Sequence, residues 1–339
     1  MTEIVRIDPN DSSAFDEWFT VLHATDLLKW PDRPGWQRAE RLAQALDEDG
    51  PEEHCCLVAR GTNGTVQGIA DFVLFRRENH HVARVEVGVL PGFRRQGVGT
   101  AVVEAAARMA ADAGRRELGG MDESPDRPGY FDAAAPFARR LGFSAAQRMV
   151  RRQLSLPLSH SRTDALLTRA KAKGPDYTMI TFADRWPDRF VADRCVLGRR
   201  MSTDIPLGDQ ELEEEVWDED RVRHLEAGLV AQNRARVTTA ALHQGSGHLV
   251  AFTEVEVPLG APESAWQHDT LVLREHRGHG LGLAMKVINA TAVQNAHPGV
   301  RTISTWNAGD NRHMIAVNEE IGFVAVATSV YWLKKLDTR

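Results

Sequence analysis

The chain has 339 residues, and its 42% hydrophobic and 26% charged content is typical of a globular protein of about two domains. A formal net charge of −6 gives no electrostatic support for nucleic-acid binding, and no apolar stretch approaches the roughly 20 residues that a membrane span needs, so neither nucleic acid nor membrane is an expected partner. The three cysteines exclude a disulfide framework and, with an N-terminus that lacks the basic start and apolar core of a signal peptide, predict a cytoplasmic protein.

The first half of the chain is predicted to alternate between strands and helices. Apolar runs bounded by turn residues indicate strands, and an Ala- and Val-rich stretch with apolar residues at three-to-four spacing indicates a helix. The predicted elements, in order, are a strand at 3–8, a helical region that ends near Asp26, strands at 54–59, 66–75 and 85–90, and a helix at 98–113.

The second half repeats this order after a Ser- and Pro-containing stretch at 156–175, which is predicted to be an interdomain linker with a short helix at 164–173. The last apolar run, at 323–336, is predicted to form a pair of strands in the C-terminal domain. The elements predicted between them are a strand at 177–183, a helical region that ends near Asp204, strands at 236–243, 248–257 and 271–273, a helix at 281–296, a strand at 301–306 and a helix at 311–321.

A short glycine loop occurs twice, each time between a predicted strand and a predicted helix. The first loop occupies positions 94–99 and the second positions 277–282, so that every position of one has a counterpart at a constant offset in the other. Acidic residues of the preceding strands repeat with the same offset: Glu86 with Asp269, and Asp71 with Glu254. The shared offset of loops and acids indicates a duplicated anion-binding fold.

Each loop has the chemistry of a phosphate-binding turn. Glycines two residues apart allow the backbone to approach a ligand closely, and they turn the first amides of the following helix outward. Unpaired amides at the positive end of a helix favour a phosphate or pyrophosphate, and Arg94 and Arg277 add a charged donor. Neither loop has the G-x-G-x-x-G pattern of dinucleotide-binding folds or the closing Gly-Lys-Ser/Thr of a P-loop.

Both loops resemble the [R/Q]-x-x-G-x-[G/A] loop of the GNAT N-acetyltransferases, which holds the pyrophosphate of acetyl-CoA. The second half also resembles the family at the strand end with Asn307, at the helix from Asn311 and at the closing pair Gly322–Phe323. The first half contains the same pair as Gly142–Phe143. The chain is therefore similar to the tandem GNAT group of actinobacterial type, to which mycothiol synthase also belongs.

This resemblance implies an α/β (α+β) fold with two tandem GNAT-like domains, each a mixed, mostly antiparallel sheet flanked by helices. Each sheet is expected to splay near its glycine loop so that the cofactor enters beside the strand end. The predicted domains are 1–155 and 176–339, with 156–175 as the linker. The second domain is predicted to catalyse, because it retains Asn307 and Asn311 where the first has no asparagine. The first would bind cofactor without turnover or brace its partner.

The resemblance also implies that acetyl-CoA, or another short acyl-CoA, is the cofactor. Its contacts would come from the strand end, the glycine loop and the two asparagines of the second half, and from the strand end and loop of the first. These residues are Leu271, Val272, Leu273, Arg277, Gly278, His279, Gly280, Leu281, Gly282, Asn307, Asn311, Val89, Leu90, Arg94, Arg95, Gln96, Gly97, Val98 and Gly99. The histidines near the second loop lack metal-ligand spacing, so no metal is expected.

Acetyl transfer to an amine needs a group that takes the amine's proton and stabilisation of the developing oxyanion. Asp269 and Glu254 are the candidate bases of the second half, although strand alternation leaves open which of them faces the cleft. Many family members protonate the leaving thiolate with a tyrosine four residues before the Gly-Phe pair, where this chain has Asn318 and Ala138. Tyr331 is the alternative donor, and packing beside Trp332 is its competing role.

The sequence therefore predicts an acetyl-CoA-dependent N-acetyltransferase that acts on the primary amine of a small molecule. Direct attack in a ternary complex is expected, because no cysteine lies near either loop to form an acyl-enzyme. Two alternatives stay open: a cysteinyl-conjugate acetyltransferase like mycothiol synthase, and a non-catalytic acyl-CoA-binding tandem protein. The acceptor amine and the oligomeric state are left open.

Overall fold

The computed structural model describes residues 2–31, 35–127, 133–204 and 206–336. The chain forms two compact units. Unit 1 consists of Met1–Met149, Leu207–Glu213 and Ala327–Arg339, and unit 2 consists of Val150–Pro206 and Glu214–Val326. Among the described residues, no helix combines the length and apolar content needed to cross a membrane.

The secondary structure alternates as the sequence predicts. The elements up to the end of the first repeat are β1 (Glu3–Arg6), α1 (Ser12–Lys29), α2 (Arg38–Ala45), β2 (Glu52–Arg60), β3 (Val66–Phe75), β4 (Val82–Val89), α3 (Val98–Asp112), β5 (Glu117–Pro125), α4 (Ala134–Arg140) and β6 (Ser144–Ser155). The following elements are α5 (His160–Lys173), β7 (Tyr177–Ala183), α6 (Val191–Asp204), α7 (Glu219–Ala231), β8 (Arg234–His243), β9 (Leu249–Pro258), β10 (Ser264–Val272), α8 (Leu281–Ala296), β11 (Thr302–Ala308), α9 (Arg312–Ile321) and β12 (Val324–Lys335).

The sheet of unit 1 has the strand order β1-β2-β3-β4-β5-β12. Its neighbours are antiparallel except β4 and β5, which are parallel and are connected through α3. In unit 2, to which β6 belongs from Val150 on, the order is β6-β11-β10-β9-β8-β7, and β10 and β11 form the corresponding parallel pair around α8. Each sheet is therefore mixed and mostly antiparallel, which confirms the predicted fold class.

Each parallel pair separates before its strands end. The pairing of β4 with β5 stops at Arg84 and Gly119, although both strands continue. The pairing of β10 with β11 stops in the same way at Trp266 and Ser304. The expected splay is thus present in both units, and it leaves backbone groups of β4 and β10 facing an open side instead of a neighbouring strand.

Apolar side chains cover both faces of each sheet. In unit 1 one face packs on α3, and the other packs on α1 around Phe15 and Trp18. In unit 2 one face packs on α8 and α5, and the other packs on α6 around Trp186 and Phe190. The loops between these layers are positioned by helices that are anchored in the core.

Two parts of the chain differ from the sequence-based expectation. Residues 323–336 form the single strand β12 rather than a strand pair, and from Ala327 on this strand belongs to unit 1, where it pairs with β5 along nine residues. The stretch expected to be a linker lies in unit 2 and is mostly the helix α5, because Leu166 and Ala170 bury an apolar stripe in its core. Sequence distance alone could not reveal this pairing of the last strand with β5.

A buried arginine–carboxylate pair holds a helix against the sheet in both units. In unit 1, Arg41 of α2 binds Asp71 of β3. In unit 2, Arg194 of α6 lies 3.8 Å from Glu254 of β9, and both side chains are only 4% exposed. Burial of two charges is tolerated where they compensate each other, so removal of one partner leaves an uncompensated charge in the core.

We predict that Glu254→Gln lowers the free energy of unfolding of unit 2 by about 3 to 5 kcal/mol, because Arg194 and Arg236 lose a buried counter-charge. Urea unfolding followed by tryptophan fluorescence measures this change. The control is Asp188→Asn, which removes an exposed carboxylate paired with Arg185 and Arg223 and should lower the unfolding midpoint far less. Equal midpoints for the two variants would show that the buried pair does not stabilise the unit.

Candidate functional site

The two glycine loops have the same backbone conformation. Gly278 and Gly280 have φ angles of 86° and 70°, and the equivalent residues Arg95 and Gly97 have φ angles of 63° and 86°. All four lie in the left-handed region, which glycine adopts without steric cost. The backbone of the second loop is therefore unstrained at both positions. In the first loop, Arg95 has a β-carbon, which makes its left-handed backbone conformation unfavourable.

The helices that follow the loops begin without side-chain caps. Among the residues that the structure describes, no side chain caps the first turn of α3 or α8, whose cap residues are Gly97 and Gly280. By contrast, Asp11 and Asn311 cap α1 and α9 through their side-chain oxygens. The first amides of α3 and α8 thus remain available for an external acceptor, and the positive helix end favours an anion there.

The two helix ends differ in how open they are. A β-carbon built on Gly282, in the first turn of α8, would meet no atom within 4 Å. A β-carbon on the equivalent Gly99 would lie 3.2 Å from the ring of Phe137, which comes from α4. The anion position of unit 2 is open on this side, and that of unit 1 is narrowed by an aromatic ring.

The loop arginines are bonded to the strand ends. Arg277 donates from Nε to the carbonyl of Val272 at 3.1 Å and from its terminal amino group to Asp204 at 2.6 Å. Arg94 donates from Nε to the carbonyl of Val89 at 3.0 Å. Each guanidinium therefore closes the turn between strand and helix, and it brings positive charge to the mouth of the loop.

The strand ends present alternate amides to the open side of the splay. The amide of Leu273 donates to Val250 on β9, and the amide of Leu90 donates to Gln67 on β3. Because alternate residues of a strand point their backbone groups to opposite sides, the amides of Val272 and Val89 point away from those neighbours. Of the predicted strand-end contacts, Val272 and Val89 have the geometry to bond a ligand through their amides, and Leu273 and Leu90 have theirs occupied.

Glu254 is a fully bonded carboxylate. It accepts hydrogen bonds from Trp186 Nε1 at 3.0 Å and from Thr238 Oγ1 at 3.2 Å, in addition to its ion pair with Arg194. Burial opposes ionisation, but the positive charges of Arg236 and Arg194 outweigh it and lower the pKa of Glu254. These partners hold Glu254 in place behind the candidate site, and its lowered pKa makes it a weak proton acceptor.

Asp269 has the opposite environment. A bulge in β10 between Gln267 and Thr270 places it across from Glu254, and no described residue donates a hydrogen bond or ion pair to it. Desolvation by burial raises its pKa; Arg194 lowers that pKa, and the negative charge of Glu254 raises it further. Asp269 is thus an accessible carboxylate that holds a proton more readily than an ordinary aspartate.

Unit 1 repeats this arrangement of an inner and an outer carboxylate. Asp71 is directly opposite Glu86 across β3 and β4, without a bulge. Burial opposes ionisation of Asp71, but Arg41 and His54 outweigh it and lower the pKa of Asp71. Desolvation raises the pKa of Glu86; Arg41 lowers that pKa, and the negative charge of Asp71 raises it further. Glu86 is solvent-exposed and, like Asp269, has no hydrogen-bond partner among the described residues. The sequence left open which carboxylate of each strand pair faces the open side. The structure gives the same answer in both halves.

The asparagines of the second half have distinct positions. Asn307, at the end of β11, accepts a hydrogen bond from the buried Asn318 at 2.7 Å. Asn311 uses its side-chain oxygen to cap α9 at the amide of Met314, at 3.2 Å. Asn311 therefore orders the helix, and Asn307 remains at the open end of the splay.

Tyr331 lies in unit 1 and not in the unit that contains Asp269. It is on β12, directly opposite Met121 of β5. Burial raises the pKa of its phenol. The sequence assigned Tyr331 to the C-terminal domain, but the pairing of β12 with β5 places it in the first sheet. Its role as a proton donor stays a prediction.

The remaining residues of the predicted loops support them. Val98 and Leu281 are buried and anchor the first helical turn in the core. The side-chain amide of Gln96 donates to the carbonyl of Gly92 at 2.8 Å, and His279 Nδ1 lies 3.2 Å from the carbonyl of Lys173. These contacts hold the loops in place without covering the first-turn amides.

The aromatic partners of the buried arginines are not evident from the sequence pattern. The guanidinium of Arg194 lies 4.1 Å from the ring centre of Trp217, and that of Arg41 lies 4.9 Å from the ring centre of Trp36. These residues come from the segments in which the two halves diverge, so no fixed offset relates them. In the sequence, only the occurrence of Trp and Arg in both segments could have indicated these arginine–aromatic contacts.

Residues 16–143 match the model of the acetyltransferase (GNAT) family. A tandem GNAT protein from the clavulanic acid biosynthesis pathway is 26% identical, with a TM-score of 0.79 and 99% of each chain covered. A GCN5-related N-acetyltransferase from Sphaerobacter thermophilus is 17% identical, with a TM-score of 0.64 and coverage of 99% of this chain and 96% of that one. No curated protein sequence matches the chain.

The fold similarity extends to a larger acyl-CoA enzyme. Saccharomyces cerevisiae N-myristoyltransferase is 10% identical, with a TM-score of 0.59, and the match covers 98% of this chain and 80% of that one. At this identity the match concerns the fold alone. Residues 16–143 form a domain of the acetyltransferase (GNAT) family, and the chain as a whole has the architecture of a tandem GNAT protein.

Proposed function

We propose that the protein is an acetyl-CoA-dependent N-acetyltransferase that acetylates the primary amine of a small molecule in unit 2. The observation that carries this proposal is Asp269, a carboxylate without hydrogen-bond partners in the described structure, on a bulge of the splayed strand β10. A carboxylate in this position can take a proton from an amine beside the strand end. The uncapped start of α8 follows β10 after one short turn of the chain.

The residues of unit 2 fit an acyl-CoA. The first amides of α8 and the backbone of Gly278 and Gly280 would hold the pyrophosphate, and the amide of Val272 would face the thioester carbonyl. Asn307 would lie beside the pantetheine arm. When bound, acetyl-CoA would supply the activated acetyl group as a thioester.

Proton transfer would then depend on Asp269. An amine is nucleophilic only when deprotonated, and a base works best when its pKa is close to the working pH. Because desolvation and the charge of Glu254 raise the pKa of Asp269, it is a better proton acceptor than an exposed aspartate. Glu254 would keep its charge and hold Arg194 in place.

Direct attack by the amine is favoured over a cysteine-bound intermediate. Burial raises the pKa values of Cys55 and Cys56 to about 12, and it also raises the pKa of Cys195. All three thiols are buried and remain protonated near neutral pH. A protonated, buried thiol is a poor nucleophile.

The second candidate function is acyl-CoA binding without catalysis. Asn318 occupies the position at which many family members have a proton-donating tyrosine, and its side-chain amide is bonded to Asn307. Unit 2 thus has no hydroxyl at this position. Binding of acetyl-CoA without transfer to any amine would favour this alternative.

We predict that Arg277→Glu weakens acetyl-CoA binding in unit 2 at least tenfold, because it breaks the bonds to Val272 and Asp204 and places a negative charge at the pyrophosphate position. Isothermal titration calorimetry of the variant and of the unaltered protein measures this. The matched variant Arg94→Glu tests unit 1 in the same experiment.

If only Arg94→Glu weakened binding, unit 1 rather than unit 2 would be the unit that binds acetyl-CoA. If the unaltered protein bound no acetyl-CoA at all, the enzyme proposal would fall. Arg301→Glu, an exposed charge reversal outside both loops, controls for the general effect of charge and should bind acetyl-CoA normally.

We predict that Asp269→Asn lowers kcat about 100-fold or more in an Arg94→Glu background, in which transfer depends on unit 2. Because only the ionised carboxylate accepts a proton, activity should fall as the pH drops through the raised pKa of Asp269, above the usual aspartate range. The pH profile of kcat/KM measures this acid limb, and the limb should disappear in Asp269→Asn. Glu275→Gln, on the neighbouring turn, is the control, and an unchanged profile in Asp269→Asn would remove this residue from the mechanism.

A further inference from the structure

The side chain of Gln267 bonds to the neighbouring strand at the start of the β10 bulge. Gln267 is the last residue before the bulge that pairs regularly, and its partner on β9 is Val255. Its Nε2 donates to the backbone carbonyl of Glu254 at 2.6 Å and to Thr253 Oγ1 at 2.9 Å, and the residue is only 6% exposed. A buried side-chain amide therefore bonds the backbone of β9 at the point where the regular pairing is interrupted.

The same contacts continue to the other end of the bulge. Regular pairing resumes at Thr270, which is opposite Thr253, and the hydroxyl oxygens of these two residues lie 2.7 Å apart. In a regular strand, residues three positions apart point to opposite faces, so only the bulge allows Gln267 and Thr270 to contact the same side chain. We call Gln267, Thr253 and Thr270 the bulge clamp, because together they bond both ends of the bulge.

The position of the bulge decides how Asp269 is presented. Two residues of β10, His268 and Asp269, lie opposite the single residue Glu254 of β9. Moving the extra residue along the strand changes the face of the residue that it passes. If the bulge lay one residue earlier, Asp269 would be in a regular pair with Glu254, as Glu86 is with Asp71 in unit 1.

Unit 1 has neither the bulge nor the clamp. Strand β4 pairs with β3 without interruption from Ala83 to Val89. Arg84, at the position of the glutamine, is bonded to Glu52 at 2.8 Å. At the constant offset of the two halves, the counterparts of Gln267, Thr253 and Thr270 are Arg84, Ala70 and Val87. The two hydroxyls and the side-chain amide are thus present in the half that has the bulge and absent from the half that has regular pairing.

Asp269 depends on the backbone for its direction. No described residue forms a hydrogen bond or ion pair with its carboxylate, so no side-chain partner holds it in place. The charged groups near it come from different parts of unit 2: Arg194 is on α6, Glu254 on β9, His268 beside it on β10, and Glu215 before α7. A change in the bulge would therefore move the carboxylate relative to all of these groups.

We propose that Gln267 is a positioning residue of the unit 2 site, which acts through Thr253 and Thr270 to hold the bulge opposite Glu254 and so presents Asp269 to the amine. This inference rests on the proposed function, in which Asp269 accepts the proton of the amine. Gln267 transfers no proton itself, because its amide group is bonded to β9. Its contribution is geometric, since misplacement of a catalytic group by about 1 Å lowers the rate severely.

We predict that Gln267→Met, which keeps the length of the side chain and removes its donor, lowers kcat about tenfold or more. The KM for acetyl-CoA should stay unchanged, because the pairing of Val272 with Ala251 lies beyond the bulge. Steady-state kinetics of the full chain in the Arg94→Glu background measures this, with phenethylamine and spermidine as acceptors.

The matched control is Asn289→Leu. Asn289 is also a buried amide in unit 2, and it donates to the carbonyl of Val237 at 2.9 Å and to Thr239 Oγ1 at 3.2 Å, away from the bulge. This variant removes the same two kinds of hydrogen bond and should leave kcat unchanged. A second variant, Thr253→Val, keeps the bond between Gln267 and the backbone and should lower kcat less than Gln267→Met. Melting temperatures verify that each variant is folded.

A double-mutant cycle separates positioning from general stabilisation. If Gln267 acts through Asp269, adding Gln267→Met to Asp269→Asn should have little further effect, because no base is left to position. A residue that only stabilises the fold would lower the residual activity of Asp269→Asn by the same factor as it lowers that of the parent.

A second readout does not depend on turnover. The carboxyl group of Asp269 can be followed by carbon-13 NMR during a pH titration, with Asp269→Asn to assign its signal. Desolvation raises the pKa of Asp269 in the intact bulge. In Gln267→Met the carboxylate should become more solvated, so its pKa should fall towards the ordinary aspartate value. The control Asn289→Leu should leave the titration unchanged.

The outcomes distinguish this inference from the proposed function. Transfer with an unchanged kcat in Gln267→Met, or an equal loss with and without Asp269, would overturn the positioning role and leave the function of unit 2 intact. An Asp269 titration that is the same in the parent and in Gln267→Met would overturn the clamp. If the unaltered protein acetylated no amine, the proposed function would fall together with the catalytic role of Gln267, and a shifted titration would then support the clamp as a structural feature alone.

Discussion

The buried arginine–carboxylate pair is the interaction on which both candidate sites depend. Arg194 with Glu254 and Arg41 with Asp71 attach a divergent helix to an equivalent strand position. The same pair sets the chemistry in front of it. The inner carboxylate stays ionised because an arginine compensates it. Desolvation raises the pKa of the outer carboxylate, the arginine of the pair lowers that pKa, and the inner carboxylate raises it. A structural ion pair thereby tunes the proton affinity of Asp269 and of Glu86.

The loops and the carboxylates follow different physical rules. The candidate anion position consists of backbone: left-handed residues turn the chain, and the uncapped helix amides are free to donate. Such a site tolerates most side chains, which explains why both copies keep their shape although Arg95 replaces a glycine. Proton transfer needs particular side chains on a particular face, so it is more sensitive to substitution. Divergence of the two halves is therefore visible around Asp269 and Tyr331 rather than in the turns.

Much of the fold could be predicted from the sequence because the apolar residues of its strands and helices repeat with clear periodicity. The internal duplication also allows each predicted element to be compared with its counterpart in the other half. The glycine loops, the splayed parallel pairs and the family were all accessible in this way. The position of β12 was not, since the partner of a strand depends on contacts between segments that are far apart in the sequence. The position of Tyr331 could not be predicted for the same reason, because chain order assigned it to the second half. Glu254 and Asp269 could be identified as candidates because each has a counterpart at the same offset in the first half. Only their burial and hydrogen-bond partners show that Glu254 is fully bonded and that Asp269 is not.

The two units are complementary rather than one being a decayed copy of the other. Unit 2 has the bulge at Asp269 and the open helix end at Gly282, whereas unit 1 has an unbroken strand at Glu86, the ring of Phe137 beside Gly99, and the phenol of Tyr331. Glu86 and Asp269 both lack a hydrogen-bond partner among the described residues, and an inner carboxylate beside each contributes to its raised pKa. The two halves therefore share the pair of carboxylates and differ in the strand geometry that presents the outer one.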